Sequence, residues 1–286
     1  MPLNYRRLSI VAFVDFCFFI SFLFVIAGIS SSAYAANQLQ RVQAAGELRV
    51  CIWPDYYGIT YRNQKTHQLS GIDIDIAREL GKELGVRIRY IDSSFPQLIS
   101  KLLGNECDIA MHAVGITPER SAALAFTQPY LRSDIYAIVS VNGSAVHRWE
   151  DLDQKGRVIA VQAGTVMEKV MQRNFTHASL LVVKPPMSRE NEVESGRADA
   201  FMTDYPYSLR MLDKTDWARV IGPPSPFYES DYAYALAPGD DSLLTWVNLF
   251  MVKLSANNRL QQLAKRNGLE AILIKNPASR PIRKGA

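Results

Sequence analysis

Apolar and polar positions alternate along this chain in two rhythms that trade places at short intervals. Leu48 to Trp53 reads as a strand. Ile72, Ile76, Leu80 and Leu84 then recur at helical spacing, and Gly85 stands where a C-terminal cap belongs, which predicts a helix over 74–84. Val86 to Ile91 is predicted as a strand, Pro96 to Leu103 as a helix with a serine nearby to cap it, and Asp108 to Met111 as a short buried strand. Thr117-Pro118 pairs an N-cap residue with proline at the first helical position, so Arg120 falls in the first turn of a helix at the carboxyl end of a strand. Further on, Val158–Gln162 is a predicted strand, Thr165–Gln172 a helix and Leu180–Val183 a strand. Glu190–Ser195 follows as a helix ended by Gly196, then Ala198–Thr203 as a strand. The closing portion reads as a strand over 232–236 and two helices, over 241–254 and 257–266, the first with a core stripe of Leu244, Val247, Phe250, Met251 and Leu254. Alternation of this kind implies βαβ units and mostly parallel sheet, and such sheets bind ligands at the carboxyl edge of their strands.

The length of 286 residues suits one large domain or two modest ones, and the apolar fraction of 48% is ordinary for a globular protein. The N-terminus is not ordinary. Arg6 and Arg7 precede an apolar run from Leu8 to Ile29, and Ala33-Tyr34-Ala35 fits a small-x-small cleavage site, so residues 1–35 read as a secretory signal peptide and the mature chain starts near Ala36. An uncleaved anchor is the alternative, because the run is long enough to span a bilayer; Asp15 within it and the cleavage site favour removal. Cys17 is not preceded by a lipobox, which argues against a lipid anchor. The net charge of +4 is spread along the chain, and residues 271–286 form a basic, proline-containing tail expected to be flexible. Such a tail reads as a solvated terminus, and no nucleic-acid partner is expected. No cofactor is expected, and no metal, since no histidine pair stands at ligand spacing near the two cysteines left after cleavage, Cys51 and Cys107.

Six motifs occur in order: Leu48-Arg-Val, Gly71-Ile-Asp-Ile-Asp, Ile116-Thr-Pro-Glu-Arg120, Phe126-Thr-Gln-Pro-Tyr130, Val161-Gln-Ala-Gly-Thr165 and Gly196-Arg-Ala-Asp-Ala-Phe-Met-Thr-Asp204. Together they resemble the family 3 solute-binding proteins, the periplasmic receptors of polar-amino-acid ABC transporters, from about Gly46 to about Gly268. The resemblance implies an α/β two-lobe periplasmic-binding-protein fold (type II), with two crossover segments near Arg132–Ala137 and Glu229–Ala233 and a ligand cleft between the lobes. Lobe one would be 46–133 plus 232–270 and lobe two 134–231, closing on the ligand about the crossovers. It also implies a periplasmic, monomeric protein that passes its ligand to a membrane permease. In that fold the strands bearing Cys51 and Cys107 are neighbours, so a disulfide fits an oxidising compartment; two small buried hydrophobes are the alternative.

The resemblance also assigns roles. Arg120 would hold a ligand carboxylate, since a guanidinium grips one bidentately where lysine cannot; its alternative is an ion pair with Glu119 or Asp134. Thr165, at a helix start after Gly164, would clamp the same carboxylate from the second lobe or serve as an ordinary N-cap. Asp204 would accept from an ammonium, or cap the helix starting near Pro206. Tyr56 and Phe95 match aromatic positions that sandwich the ligand's side chain, with Trp53 beside them at a place often acidic in receptors for basic amino acids. One departure stands out. The segment before the arginine motif, usually rich in serine or threonine hydroxyls, here reads His112-Ala113-Val114-Gly115, so His112 either replaces a hydroxyl or is a buried histidine bonded to backbone.

The reading is therefore a non-catalytic receptor for a small carboxylate-bearing solute, with an amino acid first in line. The alternatives are a periplasmic dehydratase similar to cyclohexadienyl dehydratase, and a sensory subunit that presents its ligand to a receptor. Dehydratase chemistry needs a positioned general acid. In that enzyme an acid follows the glycine-threonine turn closely, whereas here Val166 and Met167 precede Glu168.

Overall fold

The structure is a computed structural model that describes residues 37–274, Pro186 apart. The expected signal peptide and the greater part of the expected tail lie outside the described residues. Two sheets organise the remainder. The first runs β5 (Arg87–Asp92), β1 (Glu47–Ile52), β6 (Ile109–Gly115), β14 (Ser230–Leu236) and β7 (Ala125–Phe126), with β8 (Leu131–Ser133) also paired to β14. β1 lies parallel between β5 and β6, whereas β14 returns from late in the chain antiparallel to β6. The second sheet runs β11 (Ser179–Val183), β10 (Val158–Gln162), β12 (Ala200–Asp204), β9 (Ile135–Ser140) and β13 (Ala218–Ile221). Each sheet carries its own helices, and the result is a two-lobe α/β fold. A small sheet of β2 (Asp55–Tyr56), β3 (Thr60–Arg62) and β4 (Leu69–Ser70) sits beside the first.

The Ile72–Leu84 helix shows why these residues form these elements. Ile72, Ile76 and Leu80 are fully buried at helical spacing and seat the helix on the first sheet. Gly71 begins it at φ 122°, where a Cβ would come within 2.2 Å of the Ile59 carbonyl oxygen. Gly85 ends it in the left-handed conformation, its N–H turned back to the carbonyls of Gly81 and Lys82. Burying one such side chain contributes about 1.5–3 kcal/mol, and Leu80→Ala would cost about 2–5 kcal/mol through the cavity it leaves. Cys51 of β1 and Cys107, just ahead of β6, are joined by a disulfide with Cα atoms 5.7 Å apart.

The chain passes from the first sheet to the second through a single residue, Asp134, and returns over residues 222–229. The Asp134 carboxylate accepts from the backbone N–H groups of Ile135 (2.7 Å), Phe227 (2.8 Å) and Tyr228 (2.7 Å), so one side chain ties the two passages together. The return lies earlier than Glu229–Ala233, because most of that segment pairs as β14.

Other differences follow from tertiary pairing. β6 runs on past Met111 to Gly115, since β14 supplies partners for residues whose side chains alone give no strand signal. The tail expected from residue 271 is packed at its start: Leu273 bridges Leu131 and the Ile274 N–H donates to the Tyr130 carbonyl at 2.9 Å. No helix among the described residues is long and apolar enough to cross a membrane.

Candidate functional site

The carboxyl ends of β1 and β6 in one lobe face those of β10 and β12 in the other, and the side chains there line a shared cavity. From the first lobe come Trp53 and Tyr56 after β1, Phe95, Ala113 and Gly115 of β6, Arg120, and Tyr232 of β14. Ala113 holds a positive φ of 47°, unusual outside glycine, which turns it into the wall. Its N–H donates to Asp73 Oδ2 at 2.9 Å, while Asp73 Oδ1 accepts from the hydroxyls of Tyr130 (2.6 Å) and Tyr234 (2.9 Å). Burial pushes the Asp73 carboxyl up to about 7, against the lowering pull of those three donors.

Arg120 stands where Thr117 caps its helix, the threonine hydroxyl accepting from the Arg120 N–H at 3.2 Å. Its guanidinium spans the lobes. One nitrogen donates to the Gly115 carbonyl at 2.8 Å and another to the Gly164 carbonyl at 2.9 Å, and the group lies 5.3 Å from the centre of the Phe95 ring. Burial pulls its pKa down to about 10, so it stays protonated at neutral pH. Neither alternative partner is taken up: Glu119 pairs with Arg173 at 2.7 Å, and Asp134 is spent on backbone.

From the second lobe come Thr165, Val166, Met167, Arg189, Thr203, Asp204 and Tyr207. Gly164, at φ 74°, lets the lobes approach, because a Cβ there would meet Pro96 of the first lobe at 2.7 Å. Thr165 lines the cavity but does not cap its helix with its side chain. Its hydroxyl donates to the Gln162 carbonyl at 2.7 Å, and Glu168 accepts from the Gly164 N–H at 2.7 Å. Thr165 thus holds the N-cap position without a side-chain cap bond, and Glu168 bonds the residue before it rather than the first turn of the helix.

Asp204 ends β12 and caps the Tyr205–Lys214 helix, Oδ1 accepting from the Tyr207 N–H at 3.2 Å. Oδ2 accepts from the hydroxyls of Tyr232 (2.8 Å) and Tyr56, the latter from the other lobe. Burial raises the Asp204 carboxyl above its ordinary range, opposed by these donors.

Two expectations need correction. His112 does not line the cavity. It is fully buried behind Phe95, with Nδ1 3.3 Å from the Cys51 carbonyl oxygen, and burial lowers its pKa to about 4, which keeps it neutral. The buried, backbone-bonded reading holds, because the neighbours Ala113 and Gly115 take the wall. Tyr56 and Phe95 do not face each other as plates: their rings meet edge to face, 72° apart, because the Tyr56 hydroxyl reaches for Asp204. The parallel pair is Trp53 and Tyr207, one from each lobe, with centroids 6.3 Å apart.

Arg189, Tyr207 and Tyr232 were missed. Arg189 opens a short helix after its Ser188 cap and Tyr232 sits in an apolar strand, and nothing local distinguishes either from scaffold. Among the described residues no group of three or more His, Cys, Asp or Glu is placed to hold a metal ion.

Comparison with known proteins agrees with this geometry. The family model described as "Bacterial extracellular solute-binding proteins, family 3" matches residues 48–270. A cyclohexadienyl dehydratase of Pseudomonas aeruginosa is 27% identical over 265 residues, 92% of this chain and 94% of the relative. The L-cystine-binding protein of Escherichia coli (strain K12) is 25% identical over 85% of this chain and 90% of its own. Among solved structures, an ancestral amino acid-binding protein described as a precursor of cyclohexadienyl dehydratase superposes with a TM-score of 0.73 at 29% identity, covering 81% of this chain and 99% of that one.

Proposed function

The chain belongs to the bacterial extracellular solute-binding proteins of family 3, and from that premise we propose that it captures a small carboxylate-bearing solute, with an amino acid the leading class, for an ABC transporter permease in the periplasm. Lobe one (46–133 plus 232–270) and lobe two (134–231) would close on the solute about the Asp134 passage, after export under the N-terminal signal segment. The observation that carries the reading is the Arg120 guanidinium: buried, charged, without an acid partner among the described ion pairs, and set at the seam of the lobes. Asp204, on the facing wall, offers a carboxylate to an ammonium. A thermal-shift screen of amino acids and small organic acids against the mature protein tests it, because a solute that binds only the folded state raises apparent stability. A screen in which no carboxylate-bearing solute shifts the wild-type protein would reject it.

Similarity to the Pseudomonas enzyme supports a second reading, a dehydratase. Such an enzyme needs an acid placed at a leaving hydroxyl. Asp204 is the one carboxyl among the cavity-lining residues, and it already accepts three hydrogen bonds; Glu168 is turned to the Gly164 N–H. Prephenate mixed with the purified protein decides between them: conversion to phenylpyruvate would establish the enzyme.

A further inference from the structure

The cavity carries one more cation than the proposed clamp uses. Arg189 is 4% exposed and lines the same wall as Asp204. Its guanidinium donates to the Met202 carbonyl at 3.0 Å and lies 4.5 Å from the centre of the Tyr207 ring and 5.0 Å from that of Phe201. Among the described residues no carboxylate oxygen lies within 4.0 Å of it. Glu190, Asp204 and Asp55 are near enough for the Arg189 charge to pull their carboxyls down, yet none makes a direct ion pair with it. Glu190, next on the same helix, accepts a hydrogen bond from the Tyr207 hydroxyl, and Asp55 pairs with Arg210 at 2.7 Å. Asp204 is held by two tyrosine hydroxyls and a backbone N–H.

The charged groups lining the cavity are thus two guanidiniums, Arg120 from the first lobe and Arg189 from the second, against one carboxylate whose hydrogen bonds are largely filled. A buried cation without a paired anion is costly, and a guanidinium presents its planar fork best to a carboxylate. We infer that this cleft recognises a solute carrying two carboxylates, one gripped by Arg120 and the other by Arg189, with the skeleton between them set against Trp53 and Tyr207. The inference rests on the binding-protein reading and narrows its ligand class. A dianion held this way bridges the lobes, so its second carboxylate adds to closure as well as to affinity.

The test compares solutes in pairs in which one carboxylate is replaced by an amide: L-glutamate with L-glutamine, and L-aspartate with L-asparagine. Dissociation constants are measured by calorimetry on the wild-type protein and on Arg189→Gln. In at least one pair the dicarboxylate should bind about tenfold to hundredfold tighter than its partner, as expected for a hydrogen-bonded charge. Arg189→Gln should erase most of that difference, weakening the dicarboxylate about tenfold or more beyond any loss shared by the monocarboxylate. Because Arg189 also packs on two rings, the unliganded melting temperature is recorded for each protein, and Arg189→Lys serves as a second variant that keeps charge without the fork. It should retain only part of the preference. Monocarboxylates that bind as well as or better than their partners, or a preference untouched by either substitution, would overturn the inference and leave the binding-protein reading standing. If no member of any pair binds but the wider screen finds a solute with a single carboxylate, the inference is overturned and the binding-protein reading stands. A solute with two that loses affinity in Arg189→Gln supports it instead. If the wider screen also fails, both fall together.

Discussion

Replacing Arg120 by lysine keeps the charge and removes the planar fork, and the structure allows the cost to be worked out. The guanidinium donates to carbonyls on opposite lobes, Gly115 at 2.8 Å and Gly164 at 2.9 Å, and rests on the Phe95 ring. A single ammonium on a flexible stem can keep about one of those bonds and cannot offer two parallel donors to a carboxylate. Hydrogen bonds to charged groups contribute about 1.5–3 kcal/mol each, and the ring contact adds roughly 0.5–2 kcal/mol. Allowing for what lysine retains, binding should weaken by about 2–4 kcal/mol, about thirtyfold to a thousandfold in dissociation constant. The unliganded protein should change as well. An arginine facing an open cleft would leave the melting temperature alone, but Arg120 is 7% exposed and joins the lobes. Each kcal/mol lost corresponds to about 2–4 °C in a domain of this size, so a fall of several degrees is expected. Calorimetry with the tightest solute from the carboxylate screen gives the affinity, and differential scanning fluorimetry gives the melting temperature. An affinity that stays within about threefold of wild type would refute the carboxylate-clamp argument.

Three other outcomes follow from the same geometry. Asp204→Asn can satisfy the Tyr207 N–H with its oxygen and the Tyr56 and Tyr232 hydroxyls with its amide, so the fold should persist; if the solute carries an ammonium, calorimetry should show a loss of about 1.5–3 kcal/mol, and unchanged or improved affinity would mean no ammonium sits there. Reduction of the Cys51–Cys107 bridge opens a loop spanning 56 residues of sequence separation, for which the chain-entropy model gives about 4 kcal/mol; thermal melts with and without reductant should differ by roughly 10 °C, and coincident melts would show that the bridge does not constrain the unfolded chain. Asp73, raised from 3.8 to about 7, contributes stability that is complete below the unfolded value and lost as pH rises through the folded one. His112, lowered to about 4, has the opposite slope between 4 and 6.5, so the useful quantity is a difference: the wild-type advantage over Asp73→Asn in denaturant unfolding should shrink from pH 4 to pH 7, and a constant gap would show that Asp73 does not titrate there.

The alternating rhythm of apolar residues was enough to place most strands and helices, because each element in a βαβ fold buries a face whose period is written locally. Gly71 and Gly85 around the Ile72–Leu84 helix, and Thr117-Pro118 before Arg120, are equally local, since cap and turn chemistry depends on neighbours in the chain. The places of Arg120, Thr165 and Asp204 at or near element ends are local too, whereas the ligand roles expected of them came from the family resemblance. What the sequence could not settle is where side chains from distant elements meet. That His112 turns behind Phe95 while Ala113 reaches the cavity depends on a bend held by Asp73, forty residues away in the chain. That the Thr165 hydroxyl is spent on Gln162, and that Asp204 is shared by tyrosines from β2 and β14, depends on how the lobes approach. Arg189 is the plainest case. Its sequence neighbourhood is that of any helix start, and only the folded chain buries it beside Tyr207 with no acid among the described residues in direct contact. Periodicity is a property of consecutive residues, whereas the electrostatic balance of a cleft is a property of groups that share a small, poorly solvated volume, and only the folded chain brings those groups together.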